Sequence, residues 1–270
     1  MSPLPPSSEP ARPPVAETIL GLQFEPLLKF RSHHFGWFWS ESLKALGWEP
    51  VGDERPLPKY AERFGDTQLR LTTAAPASGV PSLRMKLRHP ERSLVLQIQP
   101  DKLYLTWARN SPATPSYSDI RPTLNDLVGR FEVFATDSGL GAVIPNLWEV
   151  CYINRVPRGE LWREPKDWHR VLPLLFPQQG PNCPGLPFTT YDGTWHFEIE
   201  PKRGRIHVQV AKMLVNRESD PVLFLRLTAR GELAADGSWQ AAMDVGHDSC
   251  VQLFSEITSA EAKRSWGMTQ

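Results

Sequence analysis

Two histidines and a carboxylate alternate through the stretch from 194 to 211, His196 and Glu198 in TWHFEIE and His207 in RIHVQVA. Taking PKRG (201–204) as the turn between them pairs Ile199 with Ile206, Phe197 with Val208 and Trp195 with Val210. That register sets Glu198 across from His207 and His196 across from Gln209. Two imidazoles and a carboxylate are the ligand set of a non-haem iron or zinc centre. Side chains two apart on an open strand converge poorly on one ion, however, and polar-out alternation on a solvated sheet face explains them better. No metal and no cofactor are expected.

EVCYINRV (149–156) raises a different chemistry. A run of high β-propensity ends on Asn154 and Arg155, just ahead of Pro157 and Gly159. Alternation puts Tyr152 and Asn154 on one side of the strand, and Cys151, Ile153 and Arg155 on the other. Tyr152, Asn154 and Arg155 form a candidate ligand-binding set, with the amide at a pocket mouth and the guanidinium clamping an anion. The plainer alternative has Asn154 bonding main chain, the commonest fate of side-chain amides, and Arg155 pairing with a carboxylate. We read Asn154 as a clamp at a junction between two halves, and Arg155 as the ligand contact.

His247 lies on the apolar stripe of the last helix, where a neutral core histidine is favoured over a base of lowered pKa. Arg84, Lys86 and Arg88 alternate along one strand, beside Gln97, Gln99, Tyr104 and Thr106 on the next two. Such a face suits an acidic peptide, a nucleotide or a nucleic-acid backbone, although solubilising charge accounts for it as well. The sequence has no glycine-rich phosphate loop, Gly-x-Ser-x-Gly elbow or His-Glu-x-x-His helix.

Composition narrows these options. The chain has 270 residues, with 30 Lys plus Arg against 30 Asp plus Glu, so it lacks the global attraction for phosphate backbones typical of nucleic-acid binders. A small anion or an acidic protein is therefore a better partner than nucleic acid. Three widely spaced cysteines (Cys151, Cys183, Cys250) without a CxxC pair argue against a disulfide framework and for a reducing cytoplasm. MSPLPPSSEPARPP has no basic or apolar signal region, so residues 1–14 read as a disordered tail. No apolar run reaches the roughly 20 residues that cross a bilayer, and no membrane partner is expected.

The elements that must position these residues follow from periodicity. VAETILGLQF (15–24) alternates as a strand, and SHHFGWFWSESLKALG (32–47) has helical spacing, with Ser32 as N-cap and Gly47 as the stop. The Pro-rich stretch 50–65 reads as loop, and 67–73 as a short strand. LRMKLR (83–88), SLVLQIQ (93–99) and LYLTWAR (103–109) form a meander. A turn at Pro100-Asp101 pairs Ile98 with Leu103, Leu96 with Leu105 and Leu94 with Trp107. The reversal at HPER (89–92) pairs Leu87 with Leu94 and Met85 with Leu96. A helix at about 118–138 presents Leu124, Leu127, Val128, Phe131 and Phe134.

The order then repeats: a strand at 147–156, a short helix near 165–172, strands at 194–200, 205–211 and 222–230, and a helix at about 242–264. The fold class is α+β, a tandem pseudo-repeat of β-α-β(3 or 4)-α units at 15–140 and 141–270 packed as one body, with antiparallel sheets backed by helices. This order is similar to the TATA-binding-protein saddle and to helix-grip folds, a likeness of topology that implies no function.

PPVAETILGLQF, YINRV and HDSCVQLFSEITSAEAKRSWG, in this order and spacing, resemble the motifs of a sporadically distributed family of uncharacterised prokaryotic proteins. The resemblance spans nearly the whole chain and implies no settled activity. Val150-Cys151 stand here where that family usually has Leu-Arg. On these grounds the expected function is binding or interaction through sheet faces or the groove between the repeats. The alternatives are an enzyme, hydrolytic in class, near Tyr152–Arg155, or a nucleic-acid binder using the Arg84–Arg88 face.

Overall fold

A computed structural model describes residues 14–62, 83–109, 115–178, 181, 183–199, 204–214, 220–234 and 237–268. Residues 1–13 of the expected tail and the strand expected at 67–73 lie outside the described residues.

The strands are β1 (Val15–Phe24), β2 (Glu49–Glu54), β3 (Arg84–His89), β4 (Leu94–Gln99), β5 (Lys102–Ala108), β6 (Pro145–Pro157), β7 (Asp192–Ile199), β8 (Gly204–Leu214) and β9 (Pro221–Gly231). They form one nine-stranded antiparallel sheet in the order β2-β3-β4-β5-β1-β6-β9-β8-β7. The separate sheets expected for the two halves are thus a single sheet, because β1 and β6 pair with each other at its centre.

The β4–β5 register is as alternation and the Pro100-Asp101 turn require: Leu94 faces Trp107, Leu96 faces Leu105 and Ile98 faces Leu103. Two other hairpins slip by two residues from the expected pairing. Met85 faces Ile98 and Leu87 faces Leu96, because the reversal takes a 3-10 turn at Pro90–Arg92 and then Ser93 at φ 53°. Trp195 faces Val208 and Phe197 faces Ile206, because Gly204 pairs with Ile199 instead of turning. A slip of two keeps every side chain on its own face, so the apolar pattern survives it.

β2 falls where a loop was expected. EPVGDE has no apolar alternation, and all six residues are exposed. Charge holds this edge strand: Glu49 lies opposite Arg88 and Glu54 opposite Arg84, with ion pairs from Glu49 to Arg88 and from Glu54 to Arg84 and Lys86.

The helices cover one face of the sheet. α1 (Ser32–Phe38) continues through a π turn (Trp39–Leu43) and a 3-10 turn (Lys44–Leu46), and stops at Gly47 in the left-handed region. Its N-cap is Arg31 rather than Ser32, and the Arg31 backbone N–H donates to His34 Nδ1 at 2.8 Å. α2 (Tyr117–Asp137) begins with a Ser116–Asp119 capping box and buries Leu124, Leu127, Val128, Phe131 and Phe134 as its spacing requires. The short helix expected near 165–172 is a 3-10 turn, Pro165–Arg170. The last helix divides in two. α3 (Trp239–Ile257) starts early because the Ser238 hydroxyl caps Ala241 N, and Thr258 turns to extended backbone. Ser259 then caps α4 (Ala260–Ser265).

α3 packs on β6, β9 and β8, and α2 on β1 and β5. Leu20, Leu22, Leu105, Val150, Val208, Leu225 and Leu227 supply the sheet side of the core. Gly246 of α3 sits directly on the fully buried Trp148 ring of β6, where a Cβ would lie 2.1 Å from a ring carbon. Glycine here lets the helix descend onto the sheet.

Candidate functional site

Between α3, the start of α2 and the ends of β1, β6 and β9 lies a cavity of about 520 Å³, within the usual range of roughly 300–1,000 Å³ for small-molecule sites. Val15 and Thr18 come from β1, Tyr152 and Asn154 from β6, Tyr117 from α2, and His247, Cys250 and Phe254 from α3. A bulge in β1 between Val15 and Glu17, opposite Asn154, shapes this end of the sheet.

Asn154 is 1% exposed. Its Nδ2 donates to the Leu225 carbonyl at 3.2 Å, while its Oδ1 is buried without a partner among the described residues. Main-chain bonding was expected of Asn154, and it is made to the neighbouring strand β9 rather than across the β1–β6 seam. Leaving a buried acceptor unmet costs about 1–3 kcal/mol. The cavity wall at Asn154 thus carries an acceptor with free hydrogen-bonding capacity among the described residues.

Tyr152 Oη and His247 Nδ1 share a hydrogen bond of 2.6 Å. The His247 ring stacks on Tyr117 with centroids 4.0 Å apart, and Tyr117 Oη donates to Asp244 Oδ1 at 2.7 Å, which Arg121 also grips. Burial holds the Tyr152 phenol well above its ordinary pKa and lowers that of His247. For Tyr117 burial acts first and the bond to Asp244 second, both upward. Among the described residues that line the cavity there is no Asp, Glu, Lys or Arg. These residues offer hydroxyls, an amide and an imidazole around an apolar floor.

Arg155 does not join Tyr152 and Asn154. It projects from the opposite side of β6 and forms an ion pair with Glu17 of β1. On that opposite face a second polar assembly is sealed under the segment 55–62. Gln23 bonds both the N–H and the carbonyl of Tyr60, at 2.9 and 3.0 Å, and Gln99 does the same to Leu57, at 2.9 and 3.2 Å. Beneath this strap Arg230 Nε donates to Glu149 Oε2 at 2.7 Å, and its guanidinium lies 4.1 Å from the centre of the Tyr60 ring. Tyr104 reaches toward the same carboxylate across Gly21, where a Cβ would strike its ring. Burial, and then Glu149, hold the Tyr104 phenol well above its ordinary pKa.

The remaining expected residues lie apart from the cavity. Arg84 and Lys86 share Glu54, Arg88 pairs with Glu49, and Tyr104 is buried in the assembly just described. His196 stands across from His207 with a 2.7 Å contact between their Nδ1 atoms, and His207 Nε2 contacts Glu62 Oε1 at 2.7 Å. Glu198 stands across from Arg205 instead of His207. Among the described residues no group of three metal-ligating side chains converges.

Sequence reasoning missed Tyr117 at the cavity, and missed Glu149, Arg230 and Glu62 altogether. The available signal was polarity out of place: Gln23, Gln99, Lys102 and Glu149 are all buried in otherwise apolar strands. All three cysteines are free. Among the described residues no helix is long and apolar enough to cross a membrane. The chain matches no protein-family model and no curated protein.

Proposed function

We propose that this is a cytosolic binding protein for an uncharged small molecule, which it holds in the cavity between β1, β6, α2 and α3. The single observation that carries the reading is the Asn154 Oδ1, buried and unpartnered where the cavity needs an acceptor. A ligand N–H or O–H supplies the missing bond, and its apolar body lies against Leu227, Val251 and Phe254. The three segments that carry the family resemblance also wall this cavity: Val15 and Thr18 from the first, Tyr152 and Asn154 from the second, His247, Cys250 and Phe254 from the third. The departure at Cys151 leaves it intact, since that side chain is on the other face, bonded by Arg226.

We also take the two halves to be copies of one unit, with the cavity at one end of their seam. Strands proceed outward from β1 as β5, β4, β3, β2 and from β6 as β9, β8, β7, an order that supports this reading.

Mass spectrometry of protein purified natively, then denatured, tests the main proposal. A neutral molecule is expected from the wild type and none from Asn154→Leu. That variant should melt near the wild type, because it removes one bond and one orphaned acceptor whose costs, each about 1 kcal/mol or more, oppose each other. No retained molecule together with a variant several kcal/mol less stable would make the amide purely structural and end the proposal.

A second reading, catalysis at the same cavity, draws on the Tyr152–His247 pair, a phenol and an imidazole joined by a proton-sharing bond. Ser116, Ser118 and Ser255 bring hydroxyls to it. It requires ester hydrolysis that His247→Phe abolishes. Polyanion binding through Arg84, Lys86 and Arg88 is disfavoured, because Glu54 and Glu49 already neutralise most of that charge.

A further inference from the structure

A second hollow, of about 600 Å³, opens just beyond the C-terminal end of β6 and shares no lining residue with the cavity. Arg158 and Arg163 enter it from the segment that follows β6, and Lys212 from the end of β8. Among the described residues these three side chains form no ion pair and no hydrogen bond. The carboxylate on the lining, Glu164, is already held by Lys166 at 2.8 Å.

Other exposed cations, such as Arg55, Lys59 and Arg264, also form no ion pair among the described residues, but they stand singly, whereas these three share one hollow. Arg84, Arg88, Arg155 and Arg170 each have a glutamate partner. Three cations gathered around one concavity repel one another and leave its field positive, which favours an anion there. Two guanidinium forks and an ammonium suit a multiply charged oxyanion, since guanidinium matches phosphate bidentately. Pro165, Pro187 and Pro221 line the walls beside Phe188. Proline fixes φ, so these wall positions have less backbone freedom to lose when a ligand binds.

We infer that this hollow binds a small phosphorylated molecule, with Arg158, Arg163 and Lys212 on the phosphate and Phe188 and the prolines against its organic part. A small ligand is favoured over a nucleic-acid strand because the site is concave and of pocket size, and zero net charge provides no extended field to hold a polymer.

Calorimetric titration with inorganic pyrophosphate, ADP and a short single-stranded oligonucleotide at low salt tests this. Both small probes are expected to bind one to one, ADP more tightly. Arg158→Ser with Arg163→Ser should weaken each by about a hundredfold, roughly tenfold for each guanidinium taken from the phosphate. Arg84→Ser with Lys86→Ser should leave binding unchanged, and the melting temperature of the Arg158/Arg163 variant should match the wild type, since both side chains are exposed. Binding unaltered in that variant, no binding of either small probe by the wild type, or binding of the oligonucleotide alone would each overturn the assignment.

Discussion

Gly246→Ala is expected to destabilise the fold by about 2 kcal/mol, even though alanine favours a helix interior over glycine by about 1 kcal/mol. The added methyl would stand 2.1 and 2.5 Å from two carbons of the Trp148 ring. That ring cannot retreat: it is fully buried, and its Nε1 donates to the Glu232 carbonyl at 2.7 Å. Overpacking of this kind costs about 1–3 kcal/mol and sometimes more, which outweighs the helical gain. Denaturant unfolding of the single variant and of Gly246→Ala with Trp148→Leu separates the causes. The double variant should suffer less than the sum of the two single changes. A Gly246→Ala protein as stable as the wild type would show that α3 can lift from the sheet freely.

Glu149→Ala should have the larger effect, about 3–5 kcal/mol, because it leaves the Arg230 guanidinium buried against a deleted partner. Glu62, 3.5 Å from Arg230 Nη1, softens the loss toward the lower end. Replacing both Glu149 and Arg230 by leucine should recover much of it, since an apolar pair often substitutes for a buried ion pair at little cost. Glu54→Ala gives the comparison: its pairs with Arg84 and Lys86 are partly exposed, and its loss should cost below about 1 kcal/mol. Equal effects for Glu149→Ala and Glu54→Ala in thermal melts would remove the distinction between the sealed and the open side of this face.

How far the fold was legible depends on which force places each element. β4 and β5 could be paired residue by residue because an apolar face and a two-residue turn constrain them together. At β3–β4 and β7–β8 the same pattern decided the face but left the register open by two, since alternation repeats every second residue. β2 was invisible, being held by Glu49 and Glu54 against a strand distant in sequence, with proline and glycine among its own residues. At the cavity, Tyr152 and Asn154 shared a side by parity alone, and His247 shared the stripe of α3; their meeting needed the packing of α3 on β6. The assembly around Glu149 gave no period at all, because its members come from loop and strand segments far apart in the chain, Glu62 and Arg230 among them.

The seam between β1 and β6 has a consequence for how the chain reaches this state. Those strands lie far apart in the sequence, and until they meet each is the open border of its own meander, one backbone ladder unfilled and its side chains apolar toward the helices. Contacts of such sequence separation form slowly, and an unpaired border strand will accept any complementary one. During that interval β1 of one molecule can also pair with β6 of another, in competition with its own tethered partner. The seam would then close between chains, so the yield of correctly joined monomer should fall as refolding concentration rises.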